Sequence, residues 1–314
     1  MSMKVNKTEN LAILLATYQG EKFLEAQIES LLQQTCKDWQ LYVHDDGSDD
    51  GTAEIVQHYR NQYPEKIVLV EGPSMGGARD NFLYLMKQVE APYYMCCDQD
   101  DIWLPAKIQR TFDEMKALEE QESAQVPCLV FTELTVVNEN LKVIAERMSR
   151  YQKLDCENPV LNRMLMQNVV TGCTMMMNRK LRDMAIQYKN HKNIIMHDWW
   201  ISLIAAQFGK ISYIDEPTIL YRQHGENSVG ALDTSNVSYI LKKVRRFKNN
   251  QTAVLNTQIQ AKELVDTFGL SADTIPGKLA SCLDAGKLKR LMIYRKHDLK
   301  KSGLARNLGL IIWG

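Results

Sequence analysis

Ala91-Pro92-Tyr93-Tyr94-Met95-Cys96-Cys97-Asp98-Gln99-Asp100-Asp101-Ile102-Trp103 is an apolar run that ends abruptly in three carboxylates within four positions. Like charges that close repel, and each is costly to desolvate. Two arrangements tolerate them: solvated turn residues just past a strand, or a cluster built for a hard cation that takes oxygen ligands. The rest of the chain decides between the two.

Upstream, the same design recurs. Leu11-Ala12-Ile13-Leu14-Leu15-Ala16 is a continuous apolar run of the kind found in buried parallel strands, and it ends in Thr17-Tyr18-Gln19-Gly20. Phe23, Ile28 and Leu31 then recur at helical spacing. Trp39-Gln40-Leu41-Tyr42-Val43 repeats the strand and ends in His44-Asp45-Asp46-Gly47-Ser48-Asp49-Asp50-Gly51, with a helix over 53–59 capped by Ser48 or Asp49. Residues 67–70 form a third strand, followed by the loop Gly72-Pro73-Ser74-Met75-Gly76-Gly77 and a helix over 78–88. The acidic stretch follows the fourth strand and leads into a helix over 105–120, which Asp101 caps and on which Lys107 is a solvated charge. Strands alternating with helices predict βαβ units and a parallel sheet. Right-handed crossovers then gather Thr17, Asp45, Gly76 and Asp98 at one edge.

The second half opens with an apolar strand over 125–131. Val169-Val170-Thr171-Gly172-Cys173-Thr174-Met175-Met176-Met177 reads as a strand whose glycine lets the backbone approach a ligand. His197-Asp198-Trp199-Trp200 begins a helix running through 208, with at least one of the two tryptophans in the core. Short strands over 210–214 and 218–221 end in Arg222-Gln223-His224. Beyond 231 the pattern is helical and basic, with two or three helices over 237–268 and 274–299.

The formal net charge of the 314 residues is zero, but it is unevenly spread. Fifteen Lys/Arg against six Asp/Glu leave residues 231–314 at +9, and residues 1–230 therefore at −9. That asymmetry suits a cation-using site joined to a segment that meets anionic surfaces. Seven cysteines without a C-x-x-C pair exclude a zinc knuckle or redox dithiol and read as small core residues in a reducing compartment. No window is apolar for long enough to form a signal segment or a membrane span, so a cytoplasmic protein is expected.

Several chemistries drop out. Asp46-Gly47-Ser48-Asp49-Asp50-Gly51 approaches a calcium-loop pattern, but the twelfth position is Gln57 where a bidentate Glu is required. No G-x-G-x-x-G follows the first strand, no phosphate loop of the G-x-x-x-x-G-K-S/T type exists, and no nucleic-acid-binding module is visible. What remains is a crevice of carboxylates with a glycine loop and Arg79, which suits a nucleoside diphosphate held through a divalent cation.

These residues carry a resemblance. Leu14-Leu15-Ala16-Thr17-Tyr18, Asp45-Asp46-Gly47-Ser48-Asp49-Asp50-Gly51-Thr52, Asp98-Gln99-Asp100-Asp101-Ile102-Trp103 and His197-Asp198-Trp199-Trp200 together resemble a family-two glycosyltransferase. That family has the GT-A fold, a Rossmann-like α/β architecture with a mixed sheet flanked by helices. With Tyr221-Arg222-Gln223-His224, the set is most similar to bacterial rhamnosyltransferases of cell-wall polysaccharide synthesis. The resemblance implies a catalytic domain over 1–230, with a nucleotide-binding half over 10–120 and an acceptor half over 125–230, and a helical extension over 231–314. It implies that Thr17, Tyr18, Asp45, Asp46, Gly76, Arg79, Asp98, Gly172 and Arg222 bind a nucleotide sugar. Asp100, with Asp98 and His224, would hold Mn2+ or Mg2+, and Asp198 would be the catalytic base of a one-step inverting transfer.

The donor expected from the resemblance is dTDP-L-rhamnose, and the acceptor a polyprenyl-linked saccharide. UDP-glucose or UDP-galactose as donor, a nucleotidyltransferase, and a non-catalytic scaffold in a polysaccharide-synthesis complex are the rival readings. The basic tail is read as a solvated face, a dock for anionic lipid, or a pairing surface for a homodimer.

Overall fold

The computed structural model describes residues 11–224 and 247–313. Nine strands form one sheet among the described residues. The first half delivers β1 (Leu11–Thr17), α1 (Leu24–Leu32), β2 (Trp39–Asp45), α2 (Thr52–Gln62), β3 (Ile67–Leu69), α3 (Ala78–Gln88) and β4 (Tyr93–Cys97). After the acidic turn come β5 (Ile102–Trp103), α4 (Lys107–Glu122) and β6 (Cys128–Asn138). The second half adds β7 (Val143–Ala145), α5 (Met148–Gln152), α6 (Leu161–Met164), β8 (Met175–Asn178), α7 (Arg179–Ala185), α8 (His197–Phe208) and β9 (Lys210–Gln223). Four helices follow: α9 (Phe247–Phe268), α10 (Ile275–Ala280), α11 (Lys287–Lys296) and α12 (Leu304–Trp313).

The strand order is β3-β2-β1-β4-β8-β6-β9-β5, with β7 on the flank of β6. The expected parallel arrangement holds for β3-β2-β1-β4, where βαβ crossovers return each strand in the same direction. β8 breaks it by running antiparallel to both β4 and β6. The result is the mixed sheet of the GT-A fold.

Buried residues alternate between the two faces. Leu11, Ile13, Leu15, Met95 and Cys97 pack with Leu24, Ile28, Val56 and Met115 on one face. Ala12, Leu14, Tyr94 and Cys96 pack on the other with Phe82, Trp200 and Ile204. That period of two on a sheet covered on both sides explains why the strands read as continuous apolar runs. The C-terminal helices join the second face: Val254, Ala261 and Leu264 of α9 belong to the same cluster as Trp200. Phe268 stacks on the Trp200 ring at 6.3 Å between centroids. The boundary expected at 230/231 lies outside the described residues, as do the basic residues 242–246.

Local details differ from the expectations. Residues 210–214 and 218–221 are one strand, because β9 stays paired to β6 through a register shift at Pro217. Gly172 opens a single 3-10 turn, Gly172–Thr174, and the strand begins only at Met175. The helix over 304–313 was not expected, and the segment 274–299 holds two helices, within the two or three expected beyond 237.

Candidate active site

The strand ends β1, β2 and β4 open onto a cleft of 1050 Å³. Its floor is laced together before any ligand is considered. The Gln19 N–H donates to Ser48 Oγ at 2.9 Å, Gly20 N–H to Thr52 Oγ1 at 2.7 Å and Glu21 N–H to Asp50 Oδ2 at 3.1 Å. These bonds zip the β1 turn onto the β2 turn. The helix capping expected of Ser48 or Asp49 therefore falls elsewhere. Gly51 is the N-cap of α2 without a side-chain cap, and Asp50 accepts the Thr52 N–H at 3.0 Å.

The paired Asp45 and Asp46 divide the work of holding these loops. Asp45 accepts from Thr17 Oγ1 at 2.8 Å, Ser48 Oγ at 2.6 Å and the Ser48 N–H at 2.8 Å. It does not line the cleft. Asp46 does, with 5% of its surface exposed. Its carboxylate accepts the N–H groups of Met75, Gly76 (3.1 Å) and Gly77 (2.7 Å), and the Ser74 hydroxyl at 3.0 Å. Successive backbone N–H groups curl around an anion in this way only with φ values open to glycine, here +78° at Gly76 and +146° at Gly77. The glycine loop that the sequence offers to a ligand is an anion nest closed on Asp46.

Arg79 and Arg222 also serve the scaffold. Arg79 forms a two-pronged ion pair with Asp80, through Nε at 2.9 Å and Nη2 at 2.8 Å, and donates to the Ile194 carbonyl at 2.8 Å. It lies outside the cleft, which corrects its expected place beside a phosphate. Arg222 likewise does not line the cleft. Its Nε donates to the Asp100 carbonyl at 2.8 Å, its own N–H donates to Asp101 Oδ1 at 3.0 Å, and its guanidinium lies 4.6 Å over the Phe23 ring. Arg222 braces the acidic turn from behind.

Within that turn the three carboxylates separate. Asp98 and Asp100 line the cleft. His224 lines it too, with Nε2 2.8 Å from Asp100 Oδ2 and its ring 4.8 Å from that of Phe23. Burial, then the charges of Asp100 and Asp198, push Asp98 up to about 7. Asp101 is fully buried and does not cap a helix: Ala106 is the N-cap of α4, without a side-chain bond. Burial also holds Asp101 well above the carboxylate range, and its Oδ2 has no hydrogen-bond partner among the described residues. Lys107, expected in solvent, is fully buried with Nζ 4.5 Å above the Trp103 ring, and burial lowers its pKa to about 8. The helical period and the apolar side of α4 place it inward, which the charge alone obscured.

Among the described residues, one group of side chains gathers its donor atoms as a cation site would. Asp98, Asp101 and Cys173 offer ligand atoms within 4.8 Å of one another. Burial keeps the Cys173 thiol far above its ordinary pKa, so it stays protonated and is a poor ligand. Asp98, Asp100 and His224 face the cleft and combine carboxylate with imidazole, a chemistry suited to Mn2+, but of these three only Asp100 and His224 are drawn together, at 2.8 Å.

In the same cleft, Asp198 is the second residue of α8, whose N-cap is Met196. It is half-buried and lines the cleft. Burial raises it to about 7, while the N–H groups of Trp199 and Gly172 pull the other way. Gly172 is required here, because a Cβ would come within 2.8 Å of His197 Nε2 and 3.5 Å of the Asp198 Cβ. Burial depresses His197 to about 3, so it is neutral, with its ring 4.2 Å from Phe82. Trp200 is core, and Trp199 lines the cleft while donating to the Met164 carbonyl at 2.6 Å.

Of the residues singled out in the sequence, Thr17, Tyr18, Asp46, Gly76, Asp98, Asp100, Gly172, Asp198 and His224 share the cleft. Gln99 was missed. Its amide takes the Tyr18 N–H and returns a bond to the Tyr18 carbonyl, each at 2.8 Å. Its position between two aspartates in a turn was the available signal.

Residues 12–183 match Glycosyl transferase family 2. The dTDP-rhamnosyl transferase RfbG of Shigella flexneri is 33% identical over 232 residues, 69% of this chain and 74% of its own. S. aureus TarS, solved with UDP-GlcNAc, superposes with a TM-score of 0.52 at 18% identity over 92% of this chain and 88% of that one. The mannosyltransferase PcManGT of Pyrobaculum calidifontis, solved with GDP-Man and Mn2+, gives 0.52 at 14% identity over 92% and 74%. A cleft at the strand ends of a mixed sheet, lined by carboxylates from both halves of the chain, and a family match over more than half its length place this chain in glycosyl transferase family 2.

Proposed function

We propose that the protein transfers L-rhamnose from dTDP-L-rhamnose, with inversion, onto a lipid-linked saccharide in the synthesis of a bacterial cell-surface polysaccharide. The observation that supports the transfer is that Asp198 lines the same cleft as Asp98 and Asp100, near enough for its charge to act on Asp98. The rhamnose assignment is supported by the similarity to RfbG.

In this reading Asp198 takes the proton from an acceptor hydroxyl. Its raised pKa makes it a stronger base than an exposed carboxylate and matches it to neutral pH. The hydroxyl oxygen forms a bond to the anomeric carbon as the bond from that carbon to the diphosphate oxygen breaks, and the nucleoside diphosphate leaves. Asp98, Asp100 and His224 would hold Mn2+ or Mg2+, which neutralises charge on the leaving diphosphate. Thr17 and Tyr18 bound the nucleoside end, and Gly172 allows the base to approach the sugar. The catalytic part is proposed to occupy 1–230, with the basic helices of 231–314 as its extension.

The test is release of nucleoside diphosphate by the purified protein from a panel of sugar donors, with Mn2+ and a lipid-linked acceptor. Turnover of dTDP-L-rhamnose above the others is expected. Turnover of UDP-glucose or UDP-galactose instead would reassign the donor. No release from any donor, with Asp198→Asn indistinguishable from wild type, would leave the non-catalytic scaffold.

A further inference from the structure

Helix α12 is amphipathic the wrong way round for a helix closing a globular fold, where the apolar stripe faces the core. Leu304, Leu308, Ile311 and Ile312 fall at i, i+4, i+7 and i+8 on one face, and each is between 52% and 86% exposed. The polar side faces the protein. Arg306 Nη2 donates to the Gln152 carbonyl at 2.7 Å, and Asn307 Nδ2 donates to the Lys301 carbonyl at 2.7 Å. Leu310 supplies the contact with the core.

Helix α11, bonded to the end of α12, also exposes apolar side chains. Leu288 and Met292, one turn apart, are 81% and 71% exposed. Lys287 Nζ donates to the Ile312 carbonyl at 2.8 Å, which joins the start of α11 to the end of α12. Six aliphatic side chains thus lie on two helices tied together. Around them the charge is of one sign: residues 286–313 hold eight Lys/Arg and one acidic residue, Asp298. Lys289, Arg295 and Lys296 are all exposed.

We propose that α11 and α12 form a docking face for an anionic phospholipid membrane, with the aliphatic stripe entering the headgroup–acyl boundary and the basic fringe meeting the lipid charge. Aliphatic side chains flanked by Lys and Arg are the composition of interfacial helices. A second copy of the chain fits poorly, because a two-fold contact would set like-charged fringes against each other. Nucleic acid would satisfy the charge but leave the aliphatic stripe in water. The face also adjoins the cleft: Lys301 and Arg306, which anchor α12, line the cleft wall. This deepens the lipid-acceptor reading by naming the surface that meets the lipid, and vesicle binding is measured without any transfer, so the two readings fail separately.

The experiment is co-sedimentation of the full chain with phosphatidylcholine vesicles, with and without about one-third phosphatidylglycerol, at low and high salt. Wild type is expected to pellet at least about tenfold more with the anionic vesicles, and less as salt rises. The Leu308→Ser/Ile311→Ser/Ile312→Ser variant should lose about tenfold of that binding, and so should Lys289→Glu/Arg295→Glu/Lys296→Glu. Circular dichroism and thermal melting establish that each variant is folded. Absent or charge-independent pelleting of wild type overturns the proposal, as does pelleting that both folded variants retain. A solution dimer that the serine variant splits, with no vesicle binding, overturns it in favour of a subunit interface.

Discussion

The side-chain amide of Gln99 closes both hydrogen bonds of Tyr18, accepting its N–H at Oε1 and donating from Nε2 to its carbonyl, each at 2.8 Å. The clasp fixes the turn after β1 to the turn after β4, the two loops that would hold opposite ends of a donor. Gly20 makes room for it, since a Cβ there would come within 2.4 Å of Gln99 Oε1. Gln99→Glu keeps the acceptor but loses the donor and sets a carboxylate against the Tyr18 carbonyl. The expected outcome is about a tenfold rise in donor KM with a much smaller change in kcat, read from steady-state kinetics. An equal fall in kcat, with KM unchanged, would place Gln99 in the chemical step instead.

Asp46 offers a test of the loop itself. Its carboxylate gathers three backbone N–H groups and a hydroxyl within residues 74–77. Asp46→Ala leaves those groups without an acceptor, and charge-assisted bonds to backbone N–H are among the stronger ones. A loss of about 2–3 kcal/mol in denaturant unfolding is expected, with faster hydrogen exchange at Gly76 and Gly77. Unchanged exchange at those two glycines would mean the nest holds without its anion.

How much of this was legible in the sequence depended on which force set each position. The strands over 11–17, 39–45 and 93–97 were legible because both faces are buried and the run is apolar throughout. Of the four positions that topology alone gathers at one edge, Thr17, Gly76 and Asp98 line the cleft, whereas Asp45 does not and its neighbour Asp46 does. What sequence misread were charges with tertiary partners. Arg79 has a ready partner in the adjacent Asp80, yet its partnership also depends on the Ile194 carbonyl, 115 positions away. Lys107 looked solvated because ammonium groups usually are, and only the packing of α4 against Trp103 turned it inward. Helix α12 lies beyond the segments that read as helical, and its apolar residues are mostly exposed rather than packed on the core.

His224 stands 2.8 Å from Asp100 on the wall of the cleft, an imidazole beside a carboxylate. If both serve one cation, His224→Ala should weaken Mn2+ more than Mg2+, because imidazole ligation favours the later transition metals while Mg2+ prefers oxygen. The expected result is a rise of about tenfold or more in the Mn2+ concentration for half-maximal activity, with a smaller change for Mg2+. Chelation should abolish transfer and added metal restore it. Equal weakening of both metals would remove His224 from the coordination and leave it as a prop for Asp100.

Asp198 is the residue at which stability and activity should oppose each other. Burial raises its folded pKa from 3.8 to about 7. Between those values the folded protein holds a proton that the unfolded chain has released, so this group's contribution to stability falls as pH rises through the window. Above about pH 7 the full cost of the buried carboxylate is present, a few kcal/mol at most. Asp198→Asn removes it. The variant should melt higher than wild type at about pH 8, and the gap should close toward about pH 4. Activity should run the other way: in the proposed mechanism the unprotonated carboxylate is the base, so wild-type kcat/KM should climb with pH through about 7 and level off. The Asn variant should lose about 10²–10⁴ of the rate, with no such climb in what remains. Melting curves and pH–rate profiles on the same two proteins decide it. A variant that is less stable at high pH, or a wild-type rate flat from about pH 6 to 8, would remove Asp198 from the role of a buried general base.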